Sequence, residues 1–524
     1  MTILNTKLGK IRGSTLTTWK NTEFYAYRGI PYATPPLKEL RFKAPNPIKP
    51  WTNILDSTMD GPMCPQPRKS SQECSEDCLR INVYTKNLAN TLKPVLVYIH
   101  GGGLYVGSGL SSDNGGPEYL MEHDIVLVTF NYRLGFLGFY NLGTKDYPGN
   151  AGFKDQVLAL RWIRDNIEEF GGDSKKVTLI GNSAGALCVL LHTISPMSNG
   201  LFHQAILSSG GINFQTEVIS DQRYLIERQA KILGITFKND NELNTAFKNL
   251  PVDRLVETLY ENFEFGHDNP IFLWSYVIEK DFGQERFLSE DPRVSLANGR
   301  FMKIPIIAGV TENELTTSAV NILQSKKLSH DFIMNFSTVA PICFGYELNS
   351  KRSKLITDTL KHAYKIPDVL TIETSLSPLS KLFSDSMIGF ANHRAIKIFR
   401  QFNSVYQYKF SYVGQYSFLY FPHDKPFGAE HCDDFIYLFV NQRYCRMFNK
   451  NDEEAKIIDR LTSYVVNFVI YGNPNIQNEP EWQKNTDQKE YYYEIGAKCE
   501  LKNKLFIERY EIWEKLFPIE DFRA

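Results

Sequence analysis

Nothing in this sequence is both long and apolar enough to cross a bilayer. The most apolar stretch, Val177 to Leu191, is interrupted by glycines, Asn182 and Ser183. The N-terminal MTILNTKLGKIRG has no charged-then-apolar leader layout, and EDFRA at the C-terminus is neither a retention nor a prenylation signal. Charge of one sign is also lacking. Lys and Arg number 58 against 59 Asp and Glu, so no electrostatic footprint for nucleic acid or an anionic membrane appears, and neither partner is expected. Cysteine is sparse and irregular, at 64, 74, 78, 188, 343, 432, 445 and 499, which is not a disulfide framework. There is no CxxC pair, no HExxH, no fixed-period repeat and only one glycosylation sequon, Asn335-Phe336-Ser337. No metal or cofactor is implied. These absences lean towards a reducing compartment and an intracellular protein. With 524 residues the chain can bury a large core without staples.

What is present is an alternation of apolar runs and helical periodicity. Pro94 to Ile99, Ile125 to Phe130, Val177 to Ile180 and Ile304 to Ala308 read as buried strands. From about Asp155 to Phe170, Val157, Leu160, Trp162, Ile163 and Ile167 recur at helical spacing, and Gly171-Gly172-Asp173 ends that helix. Strands apolar on both faces, alternating with helices, predict an α/β fold with a mostly parallel sheet covered on both sides. Residues 215–300 and 320–400 read mainly as amphipathic helix, inserted in or capping that sheet. No linker divides the chain, so 1–524 is read as one domain.

Gly181-Asn182-Ser183-Ala184-Gly185 matches the G-x-S-x-G elbow, with a strand before it and an apolar helix after it. A serine exposed on a sharp strand-to-helix turn needs neighbours without side chains. The bland alternative is a tight turn whose serine only caps the helix. His100-Gly101-Gly102-Gly103 closes the first strand. Its bare backbone can approach a substrate, so the N–H groups of Gly102 and Gly103, with that of Ala184, form a candidate oxyanion hole. A flexible or phosphate-binding loop is the alternative, although the run lacks P-loop and dinucleotide spacing. A serine nucleophile needs a base and a carboxylate to orient it. Among ten histidines the candidate is His431, in Gly428-Ala-Glu-His-Cys-Asp-Asp434; the acid candidate is Glu314, just after the strand at 304–308. Spacing alone does not choose either over the other histidines and carboxylates.

Together these residues resemble the type-B carboxylesterase family of the α/β-hydrolase superfamily, which also holds the cholinesterases. The ordered matches run nearly end to end: Tyr27-Arg-Gly-Ile-Pro-Tyr-Ala33, Leu40-Arg-Phe-Lys-Ala-Pro45, Ser75-Glu-Asp-Cys-Leu79, Tyr98-Ile-His-Gly-Gly-Gly103, Phe130-Asn-Tyr-Arg-Leu-Gly-Phe-Leu-Gly138, Gly149-Asn-Ala-Gly152, Phe170-Gly-Gly-Asp173 and Gly472-Asn-Pro474. In character the chain looks like an insect intracellular carboxylesterase. The resemblance implies a triad of Ser183, Glu314 and His431, oxyanion donors at Gly102, Gly103 and Ala184, and a supporting serine at Ser209 with Asn182 beside the nucleophile. It implies a disulfide between Cys64 and Cys78 that leaves Cys74 out. It also implies ion pairs of Arg41 with Glu76 and of Arg133 with Asp173.

Several positions depart from the family pattern. Cholinesterase-like members carry Glu where this chain has Asn182, and a tryptophan between the cysteines equivalent to Cys64 and Cys78, where no aromatic stands here. Choline esters are therefore expected to be poor substrates, unless Phe265, Phe272, Trp274 and Tyr276 build a cage from a distant loop. Leu315 replaces the usual glycine after the acid, and Asn313 the usual aspartate before it. The expected activity is hydrolysis of small neutral carboxylic esters through an acyl-enzyme, with organophosphates trapped at the serine. Two readings of other kinds stand beside it: a non-catalytic adhesion or binding homologue, and a protein that sequesters esters or organophosphates stoichiometrically.

Overall fold

A computed structural model of the chain describes residues 2–67, 73–88, 91–266, 268–418, 427–442 and 445–523. Its strands are β1 (Thr2–Thr6), β2 (Gly9–Thr17), β3 (Glu23–Pro31), β4 (Leu55–Asp56), β5 (Arg80–Thr85), β6 (Lys93–Ile99), β7 (Val126–Phe130), β8 (Gly172–Asn182), β9 (Gln204–Ser208), β10 (Ile306–Thr311), β11 (Val405–Phe410), β12 (Tyr491–Ile495) and β13 (Cys499–Asn503). They join in one sheet in the order β1-β2-β3-β5-β7-β6-β8-β9-β10-β11-β12-β13, with β4 paired to β2. From β7 to β12 every pairing is parallel. The β1-β2-β3-β5-β7 flank and the β12-β13 hairpin are antiparallel. The mostly parallel α/β-hydrolase sheet expected from the sequence is therefore present. The antiparallel flanks are an addition, formed by strands that alternate apolar and polar residues and leave weaker signals.

The continuous apolar runs have a simple cause. Successive side chains of a strand point to opposite faces, and both faces of this sheet are covered. Val95, Val97 and Ile99 of β6 enter one core, shared with Val157, Leu160 and Ile163 of helix α1 (Ala151–Asn166) and with Leu187, Val189 and Leu190 of α2 (Ala184–Ile194). Leu96 and Tyr98 enter the core on the other face, with Ile458, Leu461 and Val465 of a helix at Ala455–Tyr471. The expected helix at about 155–170 starts earlier, at Ala151, and tightens into a 3-10 turn over Ile167–Phe170.

The stretch 320–400 is helical as read, beginning with α3 (Thr316–Gln324). The stretch 215–300 is less so. It holds helices at Arg223–Ile232, Asp240–Asn249, Val252–Glu257 and Pro292–Ala297, but the described residues between Asn262 and Pro292 form none. Gly266, Pro270 and Gly283 interrupt the pattern there.

The ion pair of Arg41 and Glu76 is present, at 2.6 and 2.5 Å, and Arg41 also donates to the carbonyls of Phe247, Lys248 and Leu250. The second expected pair is corrected. Arg133 meets Asp155, not Asp173, through bonds of 2.7 and 2.6 Å, and its own N–H donates to the same carboxylate. Asp155 is fully buried in the first turns of α1. Asp173 instead turns its carboxylate to the N–H of Lys175. A desolvated guanidinium is held by the carboxylate that shares its burial. Cys64 and Cys78 form a disulfide, with Cα atoms 4.9 Å apart, and Cys74 stands outside it.

Candidate active site

The parallel strands deliver the candidate groups to one end of the sheet, the carboxyl end, where loops of such folds build sites. β8 ends at Asn182, and Ser183 follows with φ 56° and ψ −126°, a conformation that non-glycine residues rarely hold. It is the N-cap of α2, and its N–H donates to Ser208 O at 2.9 Å. The flanking glycine at 185 is sterically required: a Cβ there would fall within the carbonyl of Ile99. The sharp turn thus holds its shape because β6 and α2 touch through bare backbone.

His431 lies 248 residues along the chain from Ser183, yet its Nε2 is 2.8 Å from Ser183 Oγ. Its Nδ1 meets a carboxylate oxygen of Glu314 in a short hydrogen bond. Glu314 is buried, and its other oxygen accepts from Thr311 N–H at 2.7 Å. The motif serine and the two partners that spacing alone did not choose are thus brought together in one line. The loops that carry them are joined by backbone too, since Asn313 N–H donates to Ala429 O at 2.9 Å. Burial alone would disfavour the imidazolium of His431. Cys432 and Glu314 outweigh it and hold the imidazolium well above its ordinary range. Glu314 carries that effect at neutral pH, because burial keeps Cys432 a thiol.

Gly102 has φ 108°, and a Cβ on it would collide with the carbonyl of Val106. The loop therefore keeps its path only as glycine. Among the described residues, the N–H groups of Gly102, Gly103 and Ala184 donate to no other group, which leaves them for a ligand. The neighbouring His100 is fully buried, stacked on Tyr132, and burial pushes its pKa down to about 4. It stays neutral at physiological pH.

Asn182 is oriented on both sides: Tyr98 OH donates to its Oδ1 at 3.0 Å, and its Nδ2 approaches Cys432 Sγ at 3.1 Å. Ser209 is buried with φ 53°, and its hydroxyl has no hydrogen-bond partner among the described residues. The hydroxyl wired to the site belongs to its neighbour. Ser208 donates to Asp434 at 2.8 Å, as does Tyr408 OH at 2.7 Å. Asp433 accepts from Ser417 Oγ, Phe418 N–H and Glu430 N–H. Burial pushes Asp433 to about 7 and Asp434 to about 6.

Sequence reasoning passed over these acids, and over Glu430. The run Glu-His-Cys-Asp-Asp shows three carboxylates around one histidine, but such a run ordinarily reads as a solvated loop. Their burial comes from the apolar segment after them, Phe435 to Phe439, which anchors the loop in the core. The cavity over Ser183 measures about 240 Å³ and is walled in part by Tyr98, Leu315, Phe418, Glu430, Phe435 and Phe439. Phe265, Phe272, Trp274 and Tyr276 are not among its walls: Trp274 packs on Phe136, and Phe265 on Phe332.

The sequence model of the carboxylesterase family matches residues 1–513. The chain belongs to this family. As a carboxylesterase-family protein it is 34% identical over 511 residues to a juvenile hormone esterase of Tribolium castaneum, covering 93% of this chain and 86% of that one. It is 32% identical to Esterase FE4 of Myzus persicae, over 90% and 85% of the two chains. The solved juvenile hormone esterase of Manduca sexta, with OTFP covalently attached, superposes with a TM-score of 0.85 at 28% identity, covering 98% and 99%. No helix among the described residues of this carboxylesterase is long and apolar enough to cross a membrane.

Proposed function

We propose that this carboxylic-ester hydrolase works through Ser183 as nucleophile, His431 as general base and acid, and Glu314 as the group that fixes the histidine's tautomer. The observation that carries the reading is the unbroken line from Glu314 through both ring nitrogens of His431 to Ser183 Oγ. His431 takes the proton as Ser183 attacks the ester carbonyl. The oxyanion is held by the N–H groups of Gly102, Gly103 and Ala184. His431 then protonates the leaving alcohol, an acyl-enzyme remains, and water repeats the sequence. Asn182 acts behind this line by shaping the wall beside the nucleophile, and the supporting hydroxyl is better supplied by Ser208, bonded to Asp434, than by the unpartnered Ser209.

The substrates in this proposal are neutral esters whose alcohol or acyl part is apolar. Aromatic walls and a neutral Asn182 support that choice. The wall carboxylate of Glu430 is already engaged by Thr316 N–H at 2.9 Å, which leaves it a poorer counter-ion for ammonium. We further read residues 1–524 as one hydrolase domain, supported by the single sheet, and place it inside the cell. Cys188, Cys343, Cys432, Cys445 and Cys499 are buried and unbridged, which supports a reducing compartment.

The test is a burst assay with a chromogenic butyrate ester. Continuous turnover after the burst is expected. Ser183→Ala should lower kcat by roughly four orders of magnitude or more with the fold intact. A burst without turnover would make the protein a sequestering one, and no burst a binding homologue. A kcat/KM for butyrylcholine equal to that for the neutral ester would overturn the substrate choice.

A further inference from the structure

Among the described carboxylates of the His431 loop, Glu430 is the one whose side chain reaches across to the loop of Glu314. Its residue is 3% exposed, on the wall of the cavity over Ser183. Its Oε1 accepts from Thr316 N–H at 2.9 Å. Thr316 is the first residue of α3, and the N-cap of that helix is Leu315, which has no side-chain acceptor. The opening N–H groups of a helix have no partner within it and attract negative charge. Here the missing cap arrives from another part of the chain. The peptide between Glu314 and Thr316 also passes through the left-handed Leu315, φ 50° and ψ 31°, which costs energy for a branched side chain. Something must hold that turn, and the Glu430 carboxylate is bonded to its far side. On the near side, Glu430 pairs in backbone register with Asn313.

We propose that Glu430 is a positioning residue: by capping α3 it fixes the loops of Glu314 and His431 against each other, and it sets a second carboxylate beside that pair on the wall of the same cavity. The proposal rests on the triad reading above. The titratable groups around the pair, among the described residues, are Asp433, Asp434 and Cys432 on the same loop and Glu314 across from it. Burial raises Glu430 to about 7, with Thr316 and His431 opposing, so its charge is present through the upper part of the range in which the histidine works. A carboxylate beside an imidazole favours the imidazolium. Removing the charge lets the free base persist to lower pH.

The experiment compares Glu430→Gln and Glu430→Ala with wild type, each over a full pH profile of kcat/KM on a neutral aryl ester. Burst titration counts competent sites. Glutamine keeps an acceptor for Thr316 N–H without the charge. Its acid limb should move to lower pH by about half a unit to one unit, while its plateau kcat stays at least ten-fold above that of alanine. Alanine loses the cap, and its kcat should fall by roughly 10- to 100-fold at little cost in KM, as misplaced catalytic groups do. An acid limb for Glu430→Gln that overlays wild type overturns the proposal, as does a kcat for Glu430→Ala within about three-fold of wild type. If Glu430→Ala does not fold, the limb of Glu430→Gln decides alone. Retained turnover in Ser183→Ala would instead refute the triad reading.

Discussion

At the scale of single residues, the site is built on backbone that side chains avoid. Ser183, Leu315 and Cys432 all have positive φ, of 56°, 50° and 69°; the first is the proposed nucleophile and the others directly follow Glu314 and His431. Each such residue costs roughly 1–2 kcal/mol, except where glycine stands. Leu315→Gly should therefore relieve strain while giving up the wall that Leu315 contributes to the cavity. We expect thermal stability within about 1 kcal/mol of wild type, because relief is offset by the greater freedom of glycine in the unfolded chain. The ratio of kcat/KM for a bulky ester to that for an acetate should rise; a fall would show that Leu315 does not bound the substrate. The histidine yields a second prediction. Because its imidazolium is held above the ordinary value, the base form is lost as pH drops through a pKa higher than 6.5. Activity on a neutral ester should thus fade on the acid side with a midpoint above 6.5, read from kcat/KM against pH. The sequence announced Ser183 and the glycine loop because both are short motifs with a steric cause. It did not announce Glu430, Asp433 or Asp434, whose roles depend on a burial that only the distant packing of Phe435 to Phe439 produces.

At the scale of elements, what was legible followed the strength of the pattern. β6 and β7 were plain because each feeds both cores, so nearly every position is apolar, Lys93 and Thr129 excepted. The antiparallel flanks were not, since β1 exposes alternate residues and β13 three of its five. The helical reading of 215–300 failed between Asn262 and Pro292, where burial depends on packing rather than period; the ring of Phe287 stacks on Phe153 of α1, 4.8 Å away. The misassigned partner of Arg133 has the same origin. Asp173 and Asp155 are both near it in sequence, and only the fold shows that Asp155 is the one without access to water. Asp155→Ala should strand a buried guanidinium and cost about 3–5 kcal/mol, measured by denaturant unfolding. Asp173→Ala, with its side chain on a local N–H, should cost less than about 1 kcal/mol. Equal losses would put the sequence-based pairing back in contention.

At the scale of the molecule, the sheet runs without a break from β1 to β13, and its two cores lie on opposite faces of the same strands. Val97 cannot leave one core without Leu96 and Tyr98 leaving the other. Far-ultraviolet dichroism and tryptophan fluorescence should therefore report one thermal transition at a shared temperature, and two separated transitions would divide the chain into independent domains. The order of the strands has a further consequence, for synthesis. Ser183 leaves the ribosome well before Glu314, and His431 follows only after β11. On the proposed triad, a nascent chain carries its nucleophile long before the base that activates it. A product truncated ahead of His431 would therefore be inert rather than a stray esterase.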